Sequence, residues 1–384
     1  MGHRLQQTEL RGLTGVRGVA ALAVVAYHFG VSFTELVPAI GRLAPAWQRG
    51  DMGVDLFFIL SGFILCYVYR AGRSRLTWAD YREFLGFRFA RVYPNHLATL
   101  AVLGIALLAA RAAKLPLTGT YPIRSLPFQL TMTHAWPFAQ GWEGKEWNYP
   151  SWSISAEWFA YLLVFPACWA LASRCRSTRS ILFWIFVPIA TYAALWYGGV
   201  PLRNWKPIVR VTLEFCSGAA LYLLHDKSGP FIRICQRGLD GLVVVLAVLL
   251  LFTSIWNPWA NGVILLAFPC ILAGLTAETS LTAKLLAHGL LRWLGEISYA
   301  IYMVHALPQK ILKVALPTGR FVHSSLAVRF GVIAVYLAVI LLFAVVLYYA
   351  VELPARRILR RLASPRAKAL PMVAVAVPVG QQIG

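Results

Sequence analysis

The chain has 384 residues, of which 59% are apolar and only 13% charged, against roughly 45–50% apolar and about 25% charged in a soluble domain. A mean hydropathy of +0.64 excludes an ordinary soluble fold. Thirty-six Lys and Arg against fifteen Asp and Glu give a net charge of +21, which in a soluble chain would point to nucleic acid. With so few charges among so many apolar runs, the surplus belongs in short connections between membrane helices, and no nucleic-acid partner is expected.

A spanning helix needs about 20 apolar residues. In chain order about ten segments meet that requirement: 13–33, 53–70, 96–113, 155–173, 180–198, 208–225, 241–257, 260–277, 292–314 and 326–351. Asn257-Pro258-Trp259 either separates two helices or kinks one, and 208–225 carries Arg210 and Glu214. The fold class is therefore an all-α polytopic membrane protein, with residues 1–362 as one transmembrane domain and 363–384 as a disordered cytoplasmic tail. Ala44-Pro45-Ala46 resembles a cleavage site, but it lies too far beyond the apolar run Gly18 to Val31, so a retained first helix is expected. The six cysteines form no C-x-x-C pair and predict neither a disulfide framework nor a zinc site.

Orientation follows from the cations. With the N-terminus inside, the inner connections carry Arg70, Arg73, Arg75, Arg82, Arg88 and Arg91, then Arg174, Arg176 and Arg179, and after the last segment Arg356, Arg357, Arg360 and Arg361. The outer connections are poorer, so both termini are expected to be cytoplasmic. That is the pattern of a multi-pass protein of the cell inner membrane.

Ionisable groups inside membrane segments are costly and mark functional sites. The first segment holds Arg17 and His28, eleven residues apart and thus about three turns apart on one face. Asp55 opens the second segment, Trp152-Ser153-Ile154-Ser155-Ala156-Glu157 opens the fourth, and Ser298, Tyr302 and His305 share a stripe on the ninth. A rise of 1.5 Å per residue puts Arg17 roughly 6 Å and His28 about 22 Å into the membrane. Asp55, Glu157 and His305 fall in the same outer half. The expected picture is an inner cationic entrance at Arg88 and Arg91 and an outer cluster of two imidazoles and two carboxylates, with Arg17 between. A neutral imidazole beside a carboxylate suits general-base chemistry. No H-x-x-x-H or H-x-x-E spacing accompanies the histidines, so no metal is expected. G-x-S-x-G, H-x-x-x-x-D, Walker and dinucleotide motifs are also missing. Short broken helices do not recur in matching places, which disfavours a secondary transporter.

At these residues the chain resembles the acyltransferase 3 family of integral membrane O-acyltransferases. The matching stretches are Gly15 to Ala21 with Tyr27-His28-Phe29, Gly53 to Phe63, Arg88-Phe89-Ala90-Arg91-Val92-Tyr93-Pro94, Trp152 to Glu157, Leu294 to His305, and Val351-Glu352-Leu353-Pro354. They occur in family order. The resemblance implies a ten-helix domain that moves an acyl group, usually acetyl, from cytoplasmic acyl-CoA to a hydroxyl at the outer face. By carry-over, Arg17 and His28 match the family's helix 1 pair, Arg88 and Arg91 its R-x-x-R motif, and Asp55 and Glu157 its acids. Trp158 departs from the acid or small polar residue of many members, which bears on the acceptor pocket. No SGNH domain is expected after the last helix, which would remove that handle on the acceptor.

The expected chemistry is direct transfer. Arg88, Arg91 and Tyr93 hold the CoA end, and His28, oriented by Asp55 or Glu157, takes the acceptor proton. Tyr302, Ser298 or His305 stabilises the oxyanion, and Trp152 is a substrate contact. A route through an acyl-His intermediate stays open. Acetyl-CoA is a substrate, with no permanently bound cofactor expected. The acceptor is a carbohydrate, a lipid-linked sugar or a glycosylated small molecule, and membrane lipids are the surrounding partner. The aromatic connection from Leu115 to Pro150, with Tyr121, Phe128, Trp136, Phe138, Trp142, Trp147 and Tyr149, either stacks on a sugar or forms an interfacial belt. A rival from another class is a proton-coupled transporter or exporter of a cell-envelope metabolite, in which the same His and acids relay protons.

Overall fold

Long apolar runs bounded by Thr, Ser, Pro and Gly form helices because, in lipid, a helix satisfies every backbone group within its own segment. The computed structural model describes residues 9–70, 75–114, 121–139, 147–172, 174, 175 and 177–363, and these hold no strand. The expected tail after Ala363 lies outside the described residues, as do Trp142, Arg73 and Arg176.

The helices used below are α1 (Arg11–Leu36), α2 (Gly53–Arg70), α3 (Trp78–Ala112), α4 (Tyr149–Ala172), α5 (Thr178–Tyr197), α6 (Lys206–Asp226), α7 (Pro230–Phe252) and α8 (Pro258–Gly274). After them come α9 (Gly289–Glu296), α10 (Ser298–Val304), α11 (Ala306–Ala315), α12 (Leu326–Val346) and α13 (Leu353–Ala363). Among the described residues eight helices are long and apolar enough to cross a membrane, which makes this a multi-pass membrane fold. Two of the ten expected segments differ in form. The eighth is a 17-residue helix, cut from α7 because Asn257 caps it by accepting from the Ala260 amide at 3.0 Å. The ninth is broken into α9, α10 and α11, with breaks at Ile297 and His305. The third begins eighteen residues earlier than its apolar run, at a Thr77–Asp80 capping box, so Arg88 and Arg91 lie within a 35-residue helix rather than in a connection.

Exposed apolar side chains such as Phe252, Val244, Val248 and Leu342 line the outside of the bundle, as lipid contact requires. Inside, small residues set the spacing. The helices α2 and α6 run parallel, and a side chain at Gly62 would collide with the Phe215 carbonyl just as one at Gly218 would collide with that of Ile59. The backbone of α1 at Thr14 likewise lies against Gly295 of α9. The tight contacts of α1 with α9 and α10 hold its Arg17–His28 face inside the protein.

Two π-helical turns, Ala160–Val164 within α4 and Leu347–Glu352 between α12 and α13, interrupt the regular ladder. Such turns recur where a helix must re-aim side chains. Here they present Tyr161 and Glu352 to the interior, where both are buried.

Candidate functional site

The face of α1 that carries Arg17 and His28 connects two polar clusters, one at each end of the helix. Eleven residues at 1.5 Å each separate them by about 16 Å.

The cluster at the C-terminal end of α1 is built on imidazoles. The rings of His28 and His305 stack with centroids 5.0 Å apart and planes 29° apart. Tyr149 closes the group, 4.8 Å from His28 and 5.6 Å from His305. His305 sits at the α10–α11 break and is 0% exposed. Its Nδ1 lies 2.7 Å from the Tyr302 carbonyl. A carbonyl only accepts, so Nδ1 carries the proton and Nε2 holds the lone pair. That Nε2 is buried with no hydrogen-bond partner among the described residues. Gln309, one turn further on α11, fixes the frame: its Nε2 donates to the His28 carbonyl at 2.7 Å and its Oε1 accepts from the Tyr149 hydroxyl at 3.0 Å.

The two expected carboxylates do not join the imidazoles. Asp55, 2% exposed, is held by Arg210 of α6 through Nε to Oδ1 at 2.7 Å and Nη2 to Oδ2 at 2.6 Å. Glu214 lies 3.7 Å from the same guanidinium, and Trp152 stacks below it at 5.4 Å. Two buried acids converge on one buried arginine because an ion taken out of water must find its counter-charge. Trp152 is thus a support for Arg210. Glu157 points toward the other end of the bundle, since α4 starts at Tyr149 and the glutamate lies about two turns inside it. Its Oε1 accepts from the Ser61 hydroxyl at 2.8 Å, and Tyr161 also bonds to it.

The cluster at the N-terminal end of α1 is built on arginines. Arg17 lies within electrostatic reach of Arg91, Glu352 and Glu157. Arg91 pairs with Glu352 at 3.1 Å and lies over the Tyr299 ring. Glu352, 0% exposed, also meets Arg356 at 3.4 Å and accepts from Asn95 Nδ2 at 2.8 Å. Arg88 donates from Nη2 to the Tyr69 hydroxyl at 3.2 Å. Tyr93 occupies the neighbouring stripe of α3 and stacks on Phe89 at 4.4 Å. Trp158 packs against Phe89 and Tyr161, away from His28.

Of the three expected oxyanion donors, Tyr302 donates to the Pro150 carbonyl at 3.1 Å and Ser298 to that of Gly295 at 2.7 Å. His305 turns its N–H to a carbonyl as well. Among the described residues of the aromatic connection, Trp147 is buried and donates to Ser125 at 3.1 Å, Trp136 donates to the Ser155 carbonyl at 3.0 Å, and Phe138 is exposed. Among the described residues no group of three His, Cys, Asp or Glu side chains is placed to hold a metal ion.

Residues 10–349 match the family model described as an acyltransferase domain. The chain belongs to the acyltransferase 3 family. It is a membrane acyltransferase. Among its relatives are the acyltransferase MdmB of Streptomyces mycarofaciens, 30% identical over 77% of this chain and 78% of the relative, and two proteins named for peptidoglycan. These are the peptidoglycan O-acetyltransferase OatA of Listeria monocytogenes, 22% identical over 82% of this chain and 52% of the relative, and the putative peptidoglycan O-acetyltransferase YrhL of Bacillus subtilis, 23% identical over 79% and 49%. The chain spans about half the length of these last two. No solved structure matches it.

Arg210, Glu214, Gln309 and Tyr149 were not among the expected site residues. For the first two the signal was in the sequence: opposite charges four residues apart inside an apolar segment call for each other and for a third partner. Gln309 gave none, because its partner His28 is 281 residues away, and Tyr149 stood out only as one aromatic of the connection from Leu115 to Pro150, not as a neighbour of His28.

Proposed function

We propose that this acyltransferase takes an acyl group, acetyl in the first instance, from cytoplasmic acyl-CoA and transfers it to a hydroxyl of a carbohydrate or glycosylated acceptor at the outer face of the cell inner membrane. The observation that carries this reading is the stacked His28–His305 pair, with His28 about 16 Å along α1 from Arg17 and the buried His305 Nε2 without a hydrogen-bond partner among the described residues. The O-acetyltransferase names of two relatives support a hydroxyl on a glycan as acceptor. That of MdmB leaves the acceptor class open.

In this reading the arginine cluster is the cytoplasmic end. It holds the phosphates of the donor through charge-assisted forks, and the pantetheine arm extends past Arg17 toward His28. The acceptor oxygen attacks the thioester carbonyl carbon while His28 takes its proton. The C–S bond then breaks and the CoA thiolate recovers a proton from the imidazolium. The neutral His305 ring stacked on His28 offers its face to the cation formed in between. Gln309 retains a second Nε2 hydrogen beside the His28 backbone, which makes it a donor candidate for the oxyanion. Asp55 does not orient His28: it is the counter-charge of Arg210 that locks α2 to α6.

The test is hydrolysis or transfer of labelled acetyl-CoA by purified protein with a cell-envelope glycan extract and no ion gradient. Consumption by wild type and not by His28→Ala supports the reading, and mass spectrometry of the product names the acceptor. Gradient-dependent flux without acetyl-CoA consumption would make the protein a transporter.

A further inference from the structure

The helices α3 and α13 run antiparallel along the arginine end of the protein and match residue for residue. Asn95 and Arg91 meet Glu352, Arg360 lies within electrostatic reach of Arg88 and Arg91 and over the Phe87 ring, and Gly86 meets Ala363. The last contact lets the helices approach closely, since a Cβ added at Gly86 would lie 2.7 Å from that of Ala363. The facing residues form two layers. In the deeper one Arg91 and Arg356 share Glu352. In the layer one turn nearer the open end, Arg88 and Arg360 face each other with no carboxylate bonded to either among the described residues. The buried Nε groups of both lack a hydrogen-bond partner there. With Arg17, five guanidiniums face Glu157 and Glu352, and Glu296 also reaches Arg17, so the cluster still carries more positive than negative charge.

Arg88 and Arg360 are half-buried like charges within electrostatic reach of each other, which favours an anion beside them, and guanidinium groups suit a phosphate. We propose that α13 is the second wall of the donor site, and that Arg360 together with Arg88 grips a phosphate group of the CoA nucleotide, while Arg356 and Arg91 are kept in place by Glu352. This rests on the reading of acyl-CoA as donor and extends the donor contacts beyond α3. A phosphate could also come from an anionic lipid headgroup, so the experiment separates the two sources.

The full-length protein is placed in nanodiscs of phosphatidylcholine, with or without phosphatidylglycerol, and titrated with CoA and with pantetheine by calorimetry. Wild type in neutral lipid should bind CoA far better than pantetheine. Arg360→Ala should weaken CoA about ten- to a hundredfold and leave pantetheine unchanged. Arg360→Lys, which keeps the charge without the fork, should recover part of the loss. Arg361→Ala, on the exposed face of the same helix, should bind as wild type does. Thermal unfolding of each variant checks that the bundle is intact, and the lysine variant carries the test if the alanine variant does not fold. If wild type binds no CoA, the donor reading itself fails. If wild type binds CoA and Arg360→Ala binds it equally, the donor reading stands and the role of α13 is overturned. Loss of phosphatidylglycerol binding with CoA affinity unchanged would assign the layer to a lipid.

Discussion

Arg210 donates to both carboxylate oxygens of Asp55, at 2.7 and 2.6 Å, across 155 positions of sequence, and so ties the second turn of α6 to the first turn of α2. The pair is closed off by Trp152 and Tyr192 and shared with Glu214. Removing one member of a buried ion pair typically costs about 3–5 kcal/mol. Arg210→Met should be the worst change, since it leaves both acids without a cation. Asp55→Asn should cost less, because Glu214 remains for Arg210. Combining the two should recover part of the Arg210→Met loss. Thermal unfolding in detergent gives the order, and equal midpoints for Arg210→Met and wild type would remove the structural role assigned here.

His28 and His305 differ in ways that substitution can separate. His28 is half-buried and packs its ring against Tyr27 and Tyr149, whereas His305 is fully buried beside it. A general base contributes about 10²–10⁴-fold. His28→Ala and His28→Gln should both fall to near background with unfolding close to wild type. Gln keeps volume and hydrogen bonding but accepts no proton at neutral pH, so an active His28→Gln enzyme would move the base to His305. Turnover and thermal midpoint measured together on both variants decide between them.

Gln309 should act on the chemical step, by holding His28 and Tyr149 in place and by offering its second amide hydrogen to the oxyanion. Truncation to Ala removes two hydrogen bonds, each worth roughly 0.5–1.5 kcal/mol, and frees both the α1 backbone at His28 and the Tyr149 ring. The expected result is a fall of about tenfold or more in kcat with little change in the acetyl-CoA KM. Tyr149→Phe keeps the ring against His28 and loses only the hydroxyl, so it should retain more activity than Gln309→Ala. An acetyl-CoA KM that rises while kcat holds would place Gln309 on the donor side instead.

Much of this site could be read from spacing, because helical periodicity fixes which side chains share a face. Arg17 with His28, and Ser298 with Tyr302 and His305, follow from it, whereas the resemblance rests on the sequence motifs around them. Depth was harder. Starting the fourth segment at residue 155 put Glu157 at a helix mouth, whereas the turn from Tyr149 carries it inside, toward Ser61 and the arginines. Partner choice was harder still. Asp55 and Glu157 were equal candidates for His28 until a counter-charge on another helix claimed the first. The broken ninth segment shows the same limit: nothing in Ser298–His305 as a string reveals that the helix opens at His305 to give its ring nitrogen a carbonyl. For α13, the charge run Arg356-Arg357-Ile358-Leu359-Arg360-Arg361 read as a topology signal, and only its register against α3 turned two of its arginines inward.

Glu352 is the counter-charge on which the arginine layer depends, with Arg91, Arg356 and Asn95 around its two oxygens and Arg17 nearby. Glu352→Gln keeps the shape and a hydrogen bond but removes the charge, leaving three guanidiniums to repel one another in a buried space. By the cost of breaking a buried pair this should lower stability by about 3–5 kcal/mol, a large share of what holds a domain folded. A multivalent anion that enters the same layer would restore the missing charge. A ligand at a hundred times its Kd stabilises by about 2.7 kcal/mol, so adenosine 3′,5′-bisphosphate or CoA should raise the unfolding midpoint of Glu352→Gln more than that of wild type. Raising salt should narrow the gap by screening the repulsion. A Glu352→Gln protein with a wild-type midpoint and a wild-type response to nucleotide would show that the three arginines do not need this carboxylate, and the layered arrangement of the donor end would have to be given up.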